Sequence, residues 1–262
     1  MMPHPHFRWL FSLLFSSSTF LLSAQQLCDG CSTFLGAVTR GDTSQKALSL
    51  VFTGDSFAEG GDNILKTLDQ YQVKASFFLT GNFYRNPDFS DLIRRLKKQG
   101  HYLGAHSDRH LLYCDWTDRD SLLVTKAEFL EDLRQNYREM NRFGIRKKAA
   151  PYYLPPFEWY NARISEWTRQ EGLQLINYTP GTRSHADYTP LQDKNYRSTE
   201  VILNSIYDYE ATHANGLNGF ILLMHIGAGP DRPDPLHERM GELLQRLSDQ
   251  GYQIVPLRKL LR

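Results

Sequence analysis

Residues 47–71 read ALSLVFTGDSFAEGGDNILKTLDQY. Leu48, Leu50, Val51 and Phe52 make a near-continuous apolar run, as expected of a strand buried on both faces. A Gly-rich turn follows, and DNILKTLDQY then has the mixed pattern of an amphipathic helix. Strand, turn and helix in succession make one βα unit. A single carboxylate, Asp55, stands in the turn at the strand's C-terminal end, where sites form in parallel α/β folds.

The unit recurs along the chain. Residues 75–81, 101–107, 148–156, 173–179, 219–227 and 252–257 are likewise short, apolar and bounded by turn residues. Amphipathic segments at 62–71, 89–100, 125–144, 162–172, 199–213 and 236–251 lie between them. The helix over 125–144 opens with the Thr125…Glu128 pattern of a capping box and closes on Gly144. Gly100 is similarly placed to end the segment before it. Seven strands alternating with helices predict one α/β domain over 45–262, either barrel-like or doubly wound.

The flanking sequence speaks to compartment. Residues 1–24 combine a weakly basic start, an apolar Ser-rich stretch and the small residues Ser23 and Ala24, the pattern of a cleaved signal peptide. The expected location is therefore secreted or periplasmic, with no later segment able to span a membrane. Residues 25–44 are polar and irregular and are expected to form a tether. Cys28 and Cys31 suit a local disulfide in an oxidising compartment. No second CxxC accompanies them, which argues against a metal or redox role. Lys and Arg number 30 against 29 Asp and Glu, without a long basic run, so charge gives no case for nucleic acid or an anionic membrane as partner. One barrel accounts for the apolar helix faces, and a monomer is expected.

The strand ends collect the chemistry. Besides Asp55 they carry His106 and His110 in HSDRH, and His225 in LLMH. Imidazoles four apart face one ion if the segment after the third strand turns helically. Two imidazoles and a carboxylate suit one divalent metal: zinc first, with cobalt or nickel as alternatives. Asp108, between the histidines, suits a turn cap or a partner that orients an imidazole. Exposed loop histidines are the competing explanation, and the convergence of strand ends weighs against it.

SFFLTGNFYRN (76–86), GHYLGAHSDRH (100–110), YYLPPFEWYN (152–161) and FILLMHIG (220–227) resemble, in order, the motifs of polysaccharide deacetylases, the NodB-homology domain of carbohydrate esterase family 4. The resemblance covers about 46–260. It implies a distorted (β/α)7 barrel and metal-dependent removal of acetyl groups from an acetylated carbohydrate. On that resemblance His106 and His110 bind the metal, His225 is the general acid, and Pro155, Pro156 and Phe157 form a groove wall.

The departures are specific. The family's first motif reads Thr-Phe-Asp-Asp-Gly, with the base and then a metal ligand. This chain has Val51-Phe52-Thr53-Gly54-Asp55, so the base is missing and Asp55 stands one residue late as the expected ligand. The fourth-strand motif Arg-Pro-Pro-Tyr-Gly is here Leu154-Pro155-Pro156-Phe157-Glu158, and the Arg that pairs with the base is missing too. An Arg left buried without its carboxylate would be costly, so the two losses are coherent. Glu59 and Glu158 are the candidates to replace the base. The Asp that pairs with the acid histidine has only a loose counterpart, Asp187, and Arg183 adds a charge nearby. Trp159 and Tyr160, with Pro156, Phe157, Arg183 and Asp187, are the expected substrate contacts. The function expected first is a secreted metal-dependent deacetylase. A catalytically silent carbohydrate-binding protein, or a hydrolase of non-sugar C–N amide bonds, is the alternative.

Overall fold

A computed structural model of the chain describes Met1 and residues 28–262. The signal-peptide expectation for residues 1–24 thus falls, beyond Met1, outside the described residues. The elements are β1 (Ser32–Phe34), β2 (Ala37–Arg40), β3 (Ala47–Gly54), α1 (Gly61–Gln70), β4 (Ser76–Leu79), α2 (Gly81–Arg85), α3 (Ser90–Lys98), β5 (Tyr102–Ala105), α4 (Lys126–Arg142), β6 (Tyr152–Tyr153), α5 (Ala162–Gln170), β7 (Gln174–Leu175), α6 (Thr199–Thr212), β8 (Phe220–His225), α7 (Met240–Asp249), β9 (Gln253–Ile254) and α8 (Leu257–Leu260). Each of the seven apolar runs holds one strand, and β3 to β9 pair only in parallel with one another. All eight residues of β3 are buried, as an unbroken apolar run at the centre of a sheet requires.

Spatially the strands run β8-β3-β4-β5-β6-β7, with β9 against the start of β3. The ring curls into a distorted barrel, and the stretch expected to be an irregular tether lies at its seam. β1 and β2 form an antiparallel hairpin. Arg40 of β2 pairs antiparallel with Phe220 of β8, and Val38 bridges to Ile176 just past β7. Asn177 donates its backbone N–H to the Val38 carbonyl at 2.9 Å, and the Thr179 N–H reaches Ile221 at 3.0 Å. Both open edges are thereby covered, which removes a surface prone to aggregation. The run between Cys28 and Arg40 is short and broken by Gly30 and Gly36, and it buries only Ala37 and Val38 in the core, so its pairing partners define it.

Helices follow the expected segments. The Thr125 hydroxyl accepts from Glu128 N, and the Glu128 carboxylate accepts from Thr125 N, completing the capping box on α4. Cys28 and Cys31 are joined in a disulfide. Among the described residues no helix is long and apolar enough to cross a membrane.

Candidate active site

The C-terminal strand ends open on a cleft of about 380 Å³ whose lining includes Thr53, Asp55, His106, His110, Phe157, Glu158, Tyr188 and His225. Six of the side chains singled out from sequence therefore meet in one place: Asp55, His106, His110, Phe157, Glu158 and His225.

His106 follows β5 and is 2% exposed. Its Nδ1 lies 2.9 Å from the Leu154 carbonyl. A carbonyl only accepts, so Nδ1 carries the proton and Nε2 keeps its lone pair. His110 stacks edge-on at 5.1 Å between ring centroids. Burial, first of all, holds both imidazoles below the usual histidine range, and for His106 the neighbouring His110 adds to the effect. Both are thus neutral donors at neutral pH.

The HSDRH segment is not the expected helical turn. Ser107 and His110 both sit in the left-handed region, at φ 73° and 55°. The turn is built instead on α4. Asp132, 2% exposed, accepts from Ser107 Oγ at 2.6 Å, from the backbone N–H groups of Asp108 and Arg109 at 3.0 and 3.1 Å, and from Tyr113 Oη at 3.2 Å. Asn136, one turn on, accepts from His106 N at 2.9 Å. Asp108 turns aside to an ion pair with Arg85 at 2.6 Å. Sequence reasoning missed Asp132 and Asn136. Their signal was positional: both lie on the stripe of α4 defined by Phe129, Leu133, Tyr137 and Met140, where an unpaired polar side chain would be costly.

Asp55 caps the end of β3. Its Oδ1 accepts from Thr80 Oγ1 at 2.7 Å and Asn82 Nδ2 at 3.2 Å, and its Oδ2 from Ser56 Oγ at 2.7 Å. Burial alone would raise this carboxyl, but those hydrogen bonds and the nearby His110 hold it below the usual range. A carboxylate at position 54 has no room. A Cβ there would come within 2.7 Å of Ile226 Cγ2 and 3.0 Å of Leu79 and Phe83.

The donor chemistry suits a divalent ion. Two neutral imidazoles, one with Nε2 freed by a backbone partner, face an ionised carboxylate with lone pairs to spare. The spacing is wider than ligation requires: among the described residues no three His, Cys, Asp or Glu side chains are close enough together to hold an ion.

His225 ends β8, with Thr53 beside it in register. Asp187 Oδ1 stands 2.7 Å from His225 Nδ1, and its Oδ2 accepts His225's backbone N–H at 2.9 Å. Burial opposes charge on this imidazole, yet the paired Asp187 and the nearby Glu158 outweigh it and raise His225 above the ordinary value. Asp187 is held by its loop. Arg232, 4% exposed, donates to the carbonyls of Thr189 and Arg197 at 3.0 and 2.9 Å, pinning the segment that carries Asp187. Asp187 is therefore a partner behind His225, not the substrate contact expected from sequence.

Glu158 enters the cleft through a strained turn. Phe157 and Glu158 take φ values of 58° and 53° in succession, a region that side-chain-bearing residues rarely adopt. The Glu158 N–H reaches Pro155 O at 3.1 Å, and its carbonyl accepts from Asn177 Nδ2 at 2.9 Å. The turn lays Phe157 against His110, 4.4 Å between centroids. Burial chiefly, with Asp187 nearby, pushes the Glu158 carboxyl up to about 7, although His225 pulls the other way. Asn177, formally a glycosylation acceptor, is buried in this role.

The other expected site residues lie elsewhere. Glu59 does not face Asp55; its carboxylate accepts from the Ala228 and Gly229 N–H groups, the latter at 2.8 Å, and so holds the loop after β8. Tyr160 is 1% exposed and its hydroxyl donates to Phe34 O at 2.9 Å, anchoring the β1–β2 hairpin. Pro156 is buried in the turn. Trp159 is outside the cleft, with its Nε1 on the Asp115 carbonyl at 3.0 Å and Arg119 over its ring. Arg183 lines a neighbouring depression.

The architecture matches that of carbohydrate esterase family 4. The Bc1960 peptidoglycan N-acetylglucosamine deacetylase superposes with a TM-score of 0.68 at 19% identity, covering 85% of this chain and 91% of that one. A CE4 family pseudoenzyme from Bacillus anthracis superposes with a TM-score of 0.67 at 18% identity, covering 88% and 70%. Likeness at this identity shows the fold. The polysaccharide deacetylase family model matches residues 40–176, just over half of the chain, and the protein belongs to that family. A peptidoglycan-N-acetylglucosamine deacetylase of Bacillus cereus is 25% identical over 221 residues, 84% of this chain and 90% of the relative. The muramic acid deacetylase PdaA of Bacillus subtilis is 27% identical over 138 residues, 52% and 48%.

Proposed function

We propose that this protein is a secreted hydrolase that removes acetyl groups from an acetylated carbohydrate, with His225 as general acid and Glu158 in place of the missing base. The observation that carries the reading is the Asp187–His225 contact at 2.7 Å, behind the cleft that His225 and Glu158 share. Asp187 keeps the proton on Nδ1 and favours the doubly protonated ring, so Nε2 has a proton to give to a departing amine or alkoxide. Glu158, with a carboxyl near neutrality, is suited to take a proton from water at the working pH. To hold the family's divalent ion, zinc first, His106, His110 and Asp55 would have to draw closer together than they stand. When bound, that ion polarises the acyl carbonyl and acidifies water. The Cys28–Cys31 disulfide supports an oxidising, extracytoplasmic setting.

Acetate release from acetylated chitin, xylan and peptidoglycan fragments tests the reading, with His225→Ala as control. Release by the wild type and its collapse in the control are expected. A full rate in the control would remove His225 as the acid.

The second reading, a silent carbohydrate-binding protein, draws on two observations. The Thr53 hydroxyl is buried in the base position without a hydrogen-bond partner among the described residues, and Gly54 has no space for a carboxylate. Binding of acetylated oligosaccharides without acetate release would favour it.

A further inference from the structure

A second depression of about 500 Å³ adjoins the cleft, and Tyr188 forms a wall of both. Its lining carries two guanidinium groups, Arg183 and Arg197. Arg183 is exposed, and among the described residues its guanidinium has no hydrogen-bond or ion-pair partner; its backbone alone is used, the N–H on Ser205 Oγ at 2.9 Å and the carbonyl accepting from Ala186 N at 2.9 Å. Arg197 Nη1 is held by backbone carbonyls, among them its neighbour Tyr196's at 2.6 Å, and among the described residues no carboxylate pairs with it. The one acid in the lining, Asp193, is turned onto the Asn195 N–H at 2.7 Å. His185 also lines the depression, its ring stacked on Tyr178 at 4.6 Å between centroids.

Two guanidinium groups without a paired carboxylate form a receptor for an oxyanion. Arg is suited to carboxylate and phosphate by its fork of donors. The wall shared with the cleft places that anion on the same molecule whose acyl group reaches His225. We propose that this depression binds an anionic substituent, carboxylate or phosphate, of the glycan held in the cleft, and so selects acidic over neutral acetylated chains. The proposal rests on the carbohydrate reading given above.

The test measures equilibrium binding by titration calorimetry on the full chain, in low salt. The probes are a tetramer of N-acetylglucosamine, an alternating tetrasaccharide whose lactyl ethers supply carboxylates, and a 6-phosphorylated tetramer. At least one acidic probe is expected to bind about tenfold tighter than the neutral one, and which one distinguishes carboxylate from phosphate. The preference should shrink toward unity in Arg183→Gln and fall with added salt. Arg183 is exposed, so this variant keeps the fold, and a thermal melt checks it. Equal affinity for all three probes overturns the proposal while leaving the carbohydrate reading intact. A preference that survives in both Arg183→Gln and Arg197→Gln also overturns it. No binding of any probe overturns both.

Discussion

Asp187 grips His225 at two points, taking the ring Nδ1–H at 2.7 Å and the residue's own backbone N–H at 2.9 Å. The double contact fixes where the ring lies as well as which nitrogen carries its proton. Asp187→Asn should lower turnover by about 100- to 10,000-fold, since it removes both charge support and the correct tautomer. NMR titration should show the His225 pKa falling from its raised position. A raised imidazole pKa stabilises the fold at low pH, and that contribution is lost as pH rises through the raised value. The melting-temperature gap between wild type and Asp187→Asn should therefore be widest below about 6.5 and narrow above it.

Glu158 occupies a left-handed position at φ 53° that glycine takes without penalty. Glu158→Gly should stabilise the fold by about 1 kcal/mol while lowering turnover, and denaturant melts with initial rates check both halves. The carboxyl also has a pH signature. Its pKa rises from 4.5 to about 7 on folding, so its contribution is intact at low pH and lost as pH climbs through that window. Relative to Glu158→Gln, the wild type should lose melting temperature between about pH 5 and pH 8.

Asp132 is the keystone of the histidine turn. Asp132→Ala strands four donors on Ser107, Asp108, Arg109 and Tyr113, and should cost about 3 kcal/mol in chemical denaturation. Metal affinity should drop by about 10- to 100-fold in the same variant, because the turn no longer presents the two imidazoles together.

Elemental analysis of the purified protein should find about one divalent ion per chain. Zinc in hundredfold excess over its dissociation constant should stabilise the wild type by about 2.7 kcal/mol. His106→Ala should lose both the ion and the zinc-dependent shift in melting. A full complement of metal in that variant would exclude His106 as a ligand.

Much of this was legible in the chain because the barrel strands are continuous apolar runs, and their ends mark the rim. His106, His110 and His225 could be placed on that rim by strand position alone, and Glu158 by its place after Pro155 and Pro156. The β1–β2 hairpin was not legible. Ser32–Phe34 and Ala37–Arg40 are only three and four residues long, too short for their β-branched and aromatic residues to show a period, and are defined by pairing with a distant seam. Asp187 remained a loose match because a long loop brings it to His225, and the clamp that fixes this loop, Arg232, lies far along the sequence. Glu59 misled for the opposite reason. Its spacing from Asp55 suits a helical turn, but the turn is not helical and the loop after β8 offers it two N–H groups.

Glu158 and His225, as base and acid of one cleft, imply a characteristic pH–rate profile of acetate release. Two limbs are expected: the rate rises as Glu158, held up to about 7, loses its proton, and falls as His225, held above its ordinary value, loses its own. Glu158→Gln should abolish the rising limb and His225→Ala the falling one. A profile whose rising limb is unchanged in Glu158→Gln would rule out Glu158 as the base.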